Sequence, residues 1–131
     1  MEIKSKKDLE LYRVERAYKA LTEAADNGAM GHWTLAANRL YYALFYMSSA
    51  LLIDKGIEVK SHAGVISKIG QFIVVPGLLS REDARLISFL QNMRHQGDYD
   101  DFLDWTESDV KPLFEPTKEL LDKIKGLLTL I

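Results

Sequence analysis

A stretch from about residue 30 to residue 55 most constrains the fold of this chain, because it is apolar on nearly every side of a helix. One side carries a continuous apolar seam whose members advance by four and three positions: Trp33, Ala37, Leu40, Leu44, Met47 and Leu51. The other side is apolar as well, with Leu35, Tyr42, Phe45, Ala50 and Leu52. A helix of this kind has to be buried on more than one side. We therefore expect it at the centre of a helical bundle or against a second subunit.

Four further helices are predicted, and no stretch alternates convincingly with the period of two that is typical of a strand. They cover roughly residues 6–26, 62–74, 80–97 and 107–125. Pro112 and Pro116 either delay the start of the last helix or kink it, since each removes a backbone donor. The fold class is therefore all-α, an up-and-down bundle of about five helices. The 131 residues suit a single domain over 1–131.

Capping signals set the predicted helix boundaries. Asn27-Gly28 is typical of a helix C-terminus and is expected to end the first helix. Ser61 is a plausible N-cap for the third helix, and Ser80 with Asp83 predicts a capping box for the fourth. Residues 98–105 are predicted to form a loop held to the core by three aromatic side chains: Tyr99, Phe102 and Trp105.

The composition excludes several kinds of site. The chain has no cysteine, so disulfides, thiolate nucleophiles and cysteine zinc sites are excluded. Its three histidines are scattered without metal-ligand spacing, so we expect no metal site, and no cofactor motif is present. Seventeen basic and nineteen acidic residues give a net charge of −2, so any RNA contact has to come from a local patch. We expect a soluble protein without a membrane partner, because no apolar stretch is long enough to cross a bilayer. The absence of cysteine fits a reducing compartment, so we expect the protein in the cytoplasm.

Arg94 is the strongest candidate for a functional residue. It follows Ile87 by seven positions and Leu90 by four, which places it on the buried stripe of the fourth helix. A charge on that side costs free energy unless it is compensated. The structural interpretation is an ion pair with Asp98 at i+4, and the functional interpretation is a ligand-binding arginine.

Other polar residues are weaker candidates. Asn38 and Arg39 are polar on a helix that is otherwise buried. Lys60 and His62 lie at a helix N-terminus, which suits an anion, although capping and surface charge explain them more simply. His95 is rotated by about 100° from Arg94 on a regular helix, so we expect it to face solvent.

Two residue groups have competing interpretations. Tyr41, Tyr42, Phe45 and Tyr46 could stack on bases, but aromatics at helical spacing more often belong to a core. Asp98, Asp100, Asp101 and Asp104 form an acidic run, but the sixth position of a calcium loop would be Leu103 instead of glycine. The run is therefore interpreted as a solvated loop.

Over roughly residues 8–126 the chain resembles the HEPN domain family. Three stretches carry the resemblance: residues 38–74, which begin NRLYYALFYM; residues 77–102, which end MRHQGDYDDF; and the closing charged helix. The motifs are weak singly but specific in this order and spacing. The resemblance implies an up-and-down helical bundle that forms homodimers and is often encoded beside a minimal nucleotidyltransferase as a toxin–antitoxin-like pair.

Many HEPN proteins are metal-independent ribonucleases with an Arg-x(4–6)-His motif at the dimer interface, where arginine stabilises phosphate charge and histidine acts as general acid or base. The resemblance places the arginine of that motif at Arg94, but no histidine follows at the required spacing. Tyr99 occupies the nearest equivalent place, and a phenol is a poor general base at neutral pH. The chain resembles the branch of the family with Arg-x-x-x-Asp-Tyr, here Arg94 to Tyr99.

Three hypotheses follow. The first is a homodimeric HEPN protein with little or no enzymatic activity that binds a nucleotide, an RNA or a partner nucleotidyltransferase through these residues: Asn38, Arg39, Lys60, His62, Arg94, Asp98 and Tyr99. The second is a divergent metal-independent endoribonuclease, in which Arg94 holds phosphate and Tyr99, His95 or His62 moves the proton. The third is a helical assembly module in which the Arg94–Asp98 pair fixes a helix end.

Overall fold

The computed structural model describes residues 5–131, which fold into helices without a strand, so the all-α prediction is confirmed. The helices are α1 (Lys6–Ala29), α2 (Trp33–Asp54), α3 (His62–Ile69), α4 (Arg81–Tyr99), α5 (Glu107–Val110) and α6 (Phe114–Lys125). A π-helical turn, Gly70–Val74, continues α3, and a 3₁₀ turn, Lys111–Leu113, joins α5 to α6. Because the run from α5 to α6 is unbroken, the bundle has five helical segments, as expected.

Helix α2 lies at the centre of this bundle. It packs against α1, α3, α4, α5 and α6. Leu40, Leu44 and Leu51 are fully buried, and each contributes roughly 2 kcal/mol of hydrophobic stabilisation. The surrounding helices explain why α2 is apolar on nearly all sides. None of the helices among residues 5–131 combines the length and apolar character needed to cross a membrane.

Helix α1 lies close to α2 because its buried side is made largely of small residues: Ala17, Ala20, Ala24 and Gly28. The prediction that Asn27-Gly28 ends α1 is wrong, since the helix continues to Ala29. Gly31, with a φ of +77°, supplies the left-handed conformation after the helix. Gly28 serves another purpose, because a Cβ at that position would lie 2.9 Å from Cζ3 of Trp33.

Helix α4 begins as predicted and ends later. Oγ of Ser80 accepts a hydrogen bond from the Asp83 backbone N–H at 3.0 Å, and Oδ2 of Asp83 accepts one from the Ser80 N–H at 2.9 Å. The helix then continues to Tyr99, so the prediction of a loop from residue 98 is wrong for Asp98 and Tyr99. Gly97 does not end the helix, because it makes room for a neighbour: a Cβ there would lie 2.9 Å from Cγ2 of Thr34.

The aromatic side chains at the end of α4 and after it also differ from expectation. Tyr99 is 68% exposed and Phe102 is 100% exposed, so their predicted burial is wrong. Trp105 is half-buried, and its Nε1 donates a hydrogen bond of 3.1 Å to the Met93 carbonyl. Tyr99 is exposed because α4 extends through it and places its side chain towards solvent. Trp105 is the aromatic residue that packs against the end of α4.

The two prolines of the last helical segment lie where the helix type changes. Oδ2 of Asp109 accepts hydrogen bonds from the backbone N–H and the hydroxyl of Thr106 at 3.0 and 2.9 Å, which fixes the start of α5. Pro112 lies in the 3₁₀ turn, and Pro116 lies in the first turn of α6, where no intrahelical N–H donor is lost. The segment therefore changes pitch without breaking.

Asp54, the last residue of α2, holds the C-terminal residues against the bundle. Its carboxylate accepts hydrogen bonds from the Thr129 N–H at 2.7 Å and the Leu130 N–H at 2.9 Å. Although burial acts to raise the pKa of Asp54, these hydrogen bonds outweigh it and lower the pKa to about 2. Glu10 of α1 is buried beside this carboxylate, and burial together with Asp54 raises the pKa of Glu10 to about 7. The two acids therefore hold unequal charge at neutral pH.

Candidate phosphate-binding site

Arg94 lies on the side of α4 that faces α2. Its guanidinium carbon is 5.8 Å from the ring centroid of Tyr41 and 5.5 Å from that of Tyr42, and its Nη2 donates a hydrogen bond of 3.2 Å to Oη of Tyr42. The electron-rich ring faces attract the cation and offset part of the cost of burying it. Since the side chain is still 23% exposed, one edge of the guanidinium remains accessible to a ligand.

Asp98 compensates the charge of Arg94 only in part. Nε of Arg94 lies 3.1 Å from Oδ2 of Asp98, which is the ion pair expected at i+4. The N–H bond does not point at that oxygen, however, and Nε finds no hydrogen-bond acceptor within residues 5–131. Asp98 is itself 34% exposed. A buried donor left without an acceptor costs free energy, which an oxygen of a bound ligand would recover.

Arg39 brings a second guanidinium to the same tyrosine. Its guanidinium carbon lies 4.8 Å from the ring centroid of Tyr42. Nε and Nη2 of Arg39 both donate to Oδ1 of Asn38, at 3.0 and 2.8 Å, and Nη1 pairs with Glu23 at 3.3 Å.

Asn38 connects Arg39 to the acid beside Arg94, because its Nδ2 donates a hydrogen bond of 3.5 Å to Oδ2 of Asp98. Four of the residues singled out in the sequence therefore come together around one tyrosine. We call this group of five residues the Tyr42 cluster: Asn38, Arg39, Tyr42, Arg94 and Asp98.

His62 lies at the edge of the Tyr42 cluster. Its ring stacks on Phe45 with centroids 4.1 Å apart, and it meets the Tyr42 ring edge-on at 6.0 Å. Ser61 caps α3 as predicted, since its Oγ accepts a hydrogen bond of 3.1 Å from the Gly64 N–H. Lys60 is exposed and lines a groove between α1 and α2 together with His62.

Tyr99 lies apart from the Tyr42 cluster. It follows Arg94 by five residues, which corresponds to a rotation of about 140° around α4. Its ring lies 4.8 Å from the ring of His95, and both side chains are exposed. The solvent exposure expected for His95 is confirmed. Tyr99 and His95 therefore form a separate pair on another side of the helix.

The two arginines of the site are paired with the acids Glu23 and Asp98, and the groups packed behind them are phenols. Burial raises the pKa of Tyr41, with a smaller contribution from Tyr42, so this phenol stays neutral and forms a wall behind Arg94. A hydrogen bond of 3.4 Å from Nη2 of Arg16 to Oη of Tyr46 raises the pKa of that arginine, which stays charged. No group of three histidine or carboxylate side chains within residues 5–131 is arranged to ligate a metal. The exposed guanidinium edges are suited to carboxylate or phosphate oxygens.

Sequence reasoning missed Tyr42 as the residue around which the site is built. The aromatic group on α2 is divided, with Tyr41 and Phe45 buried and Tyr42 and Tyr46 half-buried at the surface. The signal that could have found the surface pair is the four-residue spacing of Asn38, Tyr42 and Tyr46, which places them along one stripe of α2.

Comparisons with known proteins agree with the fold. The HEPN domain model matches residues 11–127. A UPF0332 protein of Thermotoga maritima is 34% identical over 93 residues, covering 71% of this chain and 70% of that protein. A Methanocaldococcus jannaschii protein that carries the name "putative toxin" is 29% identical over 128 residues, covering 98% of this chain and 86% of that protein. The chain is similar to these relatives along most of its length and belongs to the HEPN domain family.

Proposed function

We propose that this chain is the HEPN component of a toxin–antitoxin-like pair and that its Tyr42 cluster binds a phosphate group of an RNA or a nucleotide. The observation that carries the proposal is the state of Arg94. It is a largely buried guanidinium on two aromatic rings, and its Nε donor has no acceptor among residues 5–131. A phosphate oxygen suits this donor by charge and by its capacity to accept a hydrogen bond.

Two features of the Tyr42 cluster favour a role in binding a phosphate over a role that is only structural. Asp98 is the competing anion, and its partial exposure allows it to turn away when a ligand arrives. The second guanidinium, on Arg39, lies over the same ring as Arg94, which brings a second positive charge to the site. A pair that served to fix the end of α4 would need neither the second arginine nor the unsatisfied donor.

The partners are part of the proposal. The relative that carries the name "putative toxin" supports a toxin-like role, and the resemblance to HEPN proteins supports a homodimer and a minimal nucleotidyltransferase encoded nearby. Light scattering tests the homodimer. We expect twice the chain mass at micromolar concentration, and a monomer at high micromolar concentration would reject that part of the proposal.

Fluorescence anisotropy with a labelled single-stranded RNA tests the site. We expect Arg94→Met to weaken binding at least about tenfold and to reduce the dependence of log affinity on log salt by about one, because one phosphate contact is lost. Arg85→Met is the matched control, since Arg85 is an exposed arginine on the same helix. Equal affinity of the two variants would contradict the proposed site.

A divergent metal-independent ribonuclease is the second candidate, and the position of His62 favours it. The His62 ring lies 6.0 Å from the Tyr42 ring, whose hydroxyl accepts a hydrogen bond from Arg94. In this alternative Arg94 stabilises the phosphate and His62 moves the proton. Incubation with RNA in EDTA tests it, with His95→Ala as the control for His62→Ala. Cleavage that His62→Ala leaves unchanged would rule out this role of His62.

A further inference from the structure

A groove of about 490 Å³ opens beside the Tyr42 cluster, between α1, α2 and the segment that leads into α3. We call it the α1–α2 groove. Its lining includes apolar, hydroxyl and basic side chains: Leu9, Arg13, Tyr46, Ser49, Lys60 and His62. Its volume lies in the range of small-molecule binding sites, which is roughly 300–1,000 Å³. It is large enough for a planar ring system with attached groups.

The lining of the groove combines apolar and basic side chains. Leu9 and the ring of Tyr46 contribute to the apolar walls, while Arg13, Lys60 and His62 supply the basic groups against one acidic residue, Glu58. Aromatic side chains favour stacking with a flat ring, and basic side chains favour an anion attached to it. The lining therefore suits a ligand that is flat at one end and anionic at the other.

Arg13 adds a donor that the protein itself does not use. Its Nε is buried and has no hydrogen-bond acceptor in the described part of the chain. Buried donors are nearly always satisfied in folded proteins. A donor of this kind at the wall of a groove is therefore a reason to expect a polar ligand atom there.

The α1–α2 groove is continuous with the Tyr42 cluster along the surface of α2. The ring of Tyr46, which lines the groove, lies 5.9 Å from the ring of Tyr42. The ring of His62, which also lines the groove, lies 6.0 Å from the ring of Tyr42. The two sites are therefore adjacent, because both of these lining side chains pack near Tyr42.

We infer that the α1–α2 groove binds a base of single-stranded RNA whose neighbouring phosphate lies at Arg94. The inference rests on the proposed function of the Tyr42 cluster and names its ligand as a polymer of base-bearing nucleotides. The base packs against Tyr46 and His62, and Nε of Arg13 donates a hydrogen bond to the nucleotide. Recognition by stacking is tolerant of sequence, so no single base is required.

Binding of two fluorescent oligomers of equal charge tests the inference. One is pentauridylate, and the other is the same ribose-phosphate chain without bases. We expect the wild type to bind pentauridylate about fivefold tighter or more, because stacking of one base contributes at least roughly that factor. Equal affinity for the two oligomers would overturn the inference while leaving phosphate binding at Arg94 intact. If the protein binds neither oligomer, the proposed function itself is contradicted.

Two variants locate the effect in the groove. Ser49→Phe fills it, and the Ser49 hydroxyl bonds only within its own helix, to the Phe45 carbonyl at 2.9 Å. We expect this variant to lose the preference for pentauridylate and to keep its affinity for the abasic chain. Arg13→Met is a second variant that leaves the groove open, and it should weaken pentauridylate binding several-fold more than Arg85→Met does.

Thermal unfolding verifies that each variant is folded before its affinity is compared. If both groove variants are folded and keep the preference for pentauridylate, the base lies elsewhere and the inference is wrong. If Ser49→Phe changes the oligomeric state but not the preference, the groove is a contact between copies of this chain, which also overturns the inference.

Discussion

Nη2 of Arg94 on α4 donates a hydrogen bond of 3.2 Å to Oη of Tyr42 on α2, across 52 positions of sequence. The bond holds a cation against the central helix of the bundle at a point where solvent still reaches it. It joins the helix end that carries Asp98 to the helix that carries Asn38 and Arg39. The strength of this bond and the availability of the cation can be measured separately.

Tyr42→Phe should lower the free energy of unfolding by about 1 kcal/mol, because it removes the acceptor of a hydrogen bond from a charged, partly exposed donor. Tyr99→Phe is the control, since that hydroxyl belongs to an exposed side chain. Urea denaturation measures both variants. A double-mutant cycle with Arg94→Met should show coupling of similar size, and additive effects would mean that the hydrogen bond contributes nothing.

Asp98→Asn should increase the affinity for single-stranded RNA several-fold, because it removes the anion that competes with phosphate for Arg94. Stability should change by no more than about 0.5 kcal/mol, since the pair is partly exposed and lies at i,i+4. Asp101→Asn removes the same charge from an exposed position. Anisotropy titrations that give the same gain for both variants would attribute it to net charge and not to the Arg94 pair.

Stability should fall as the pH rises from about 4.5 towards 7, because Glu10 is protonated in the fold and its ionisation there is disfavoured by burial and by Asp54. Lys6 and Lys55 oppose the effect without cancelling it. Glu10→Gln should remove this slope, since glutamine stays neutral. Urea denaturation at several pH values compares the two proteins, and parallel curves would show that the pKa of Glu10 is the same in the folded and unfolded protein.

Asp54 determines how stability depends on pH at acidic pH. Its pKa is lowered to about 2 from an ordinary value near 3.8, so the stability it contributes is complete above about pH 4 and is lost as the pH falls towards 2. Asp54→Asn should lose this dependence and free the residues that Asp54 holds, Thr129 and Leu130. Hydrogen exchange of their amides measures the release, and unchanged protection would contradict the contact.

Gly97→Ala should destabilise the protein by about 1–3 kcal/mol, because the added Cβ would lie 2.9 Å from Thr34 and 3.3 Å from Nε1 of Trp105. Gly70→Ala is the matched control, since a Cβ there meets no atom within 4 Å. It should be neutral or stabilise by up to about 1 kcal/mol, because alanine restricts the unfolded chain. Thermal unfolding distinguishes them, and equal midpoints would mean that the approach at Gly97 relaxes freely.

The features that the sequence predicts correctly depend on local chemistry or on periodicity. The capping box of Ser80 and Asp83 needs residues three positions apart, so it can be recognised without knowing the fold. The central position of α2 follows from its apolar sides, and the inward position of Arg94 follows from its spacing after Leu90. Each of these features can be recognised from residues that lie within one or two helical turns of one another.

The features that the sequence predicts wrongly depend on contacts between helices that are distant in the sequence. Gly28 and Gly97 look like helix stops, yet each lies within a helix to make room for a neighbouring side chain. Tyr99 looks like a residue of the site, but α4 continues through it and places it about 140° around the helix from Arg94. The role of Tyr42 could not be predicted because its partner comes from a distant helix, 52 positions later in the chain.

The side-chain Nε–H resonance of Arg94 tests the central claim most directly, because this buried donor has no hydrogen-bond acceptor among residues 5–131. It can be assigned in a ¹⁵N-labelled sample by its loss in Arg94→Lys. On addition of pentauridylate we expect this resonance to shift as the oligomer binds, while the Nε–H of Arg85 stays in place. Binding of the oligomer with an unmoved Arg94 resonance would contradict the account.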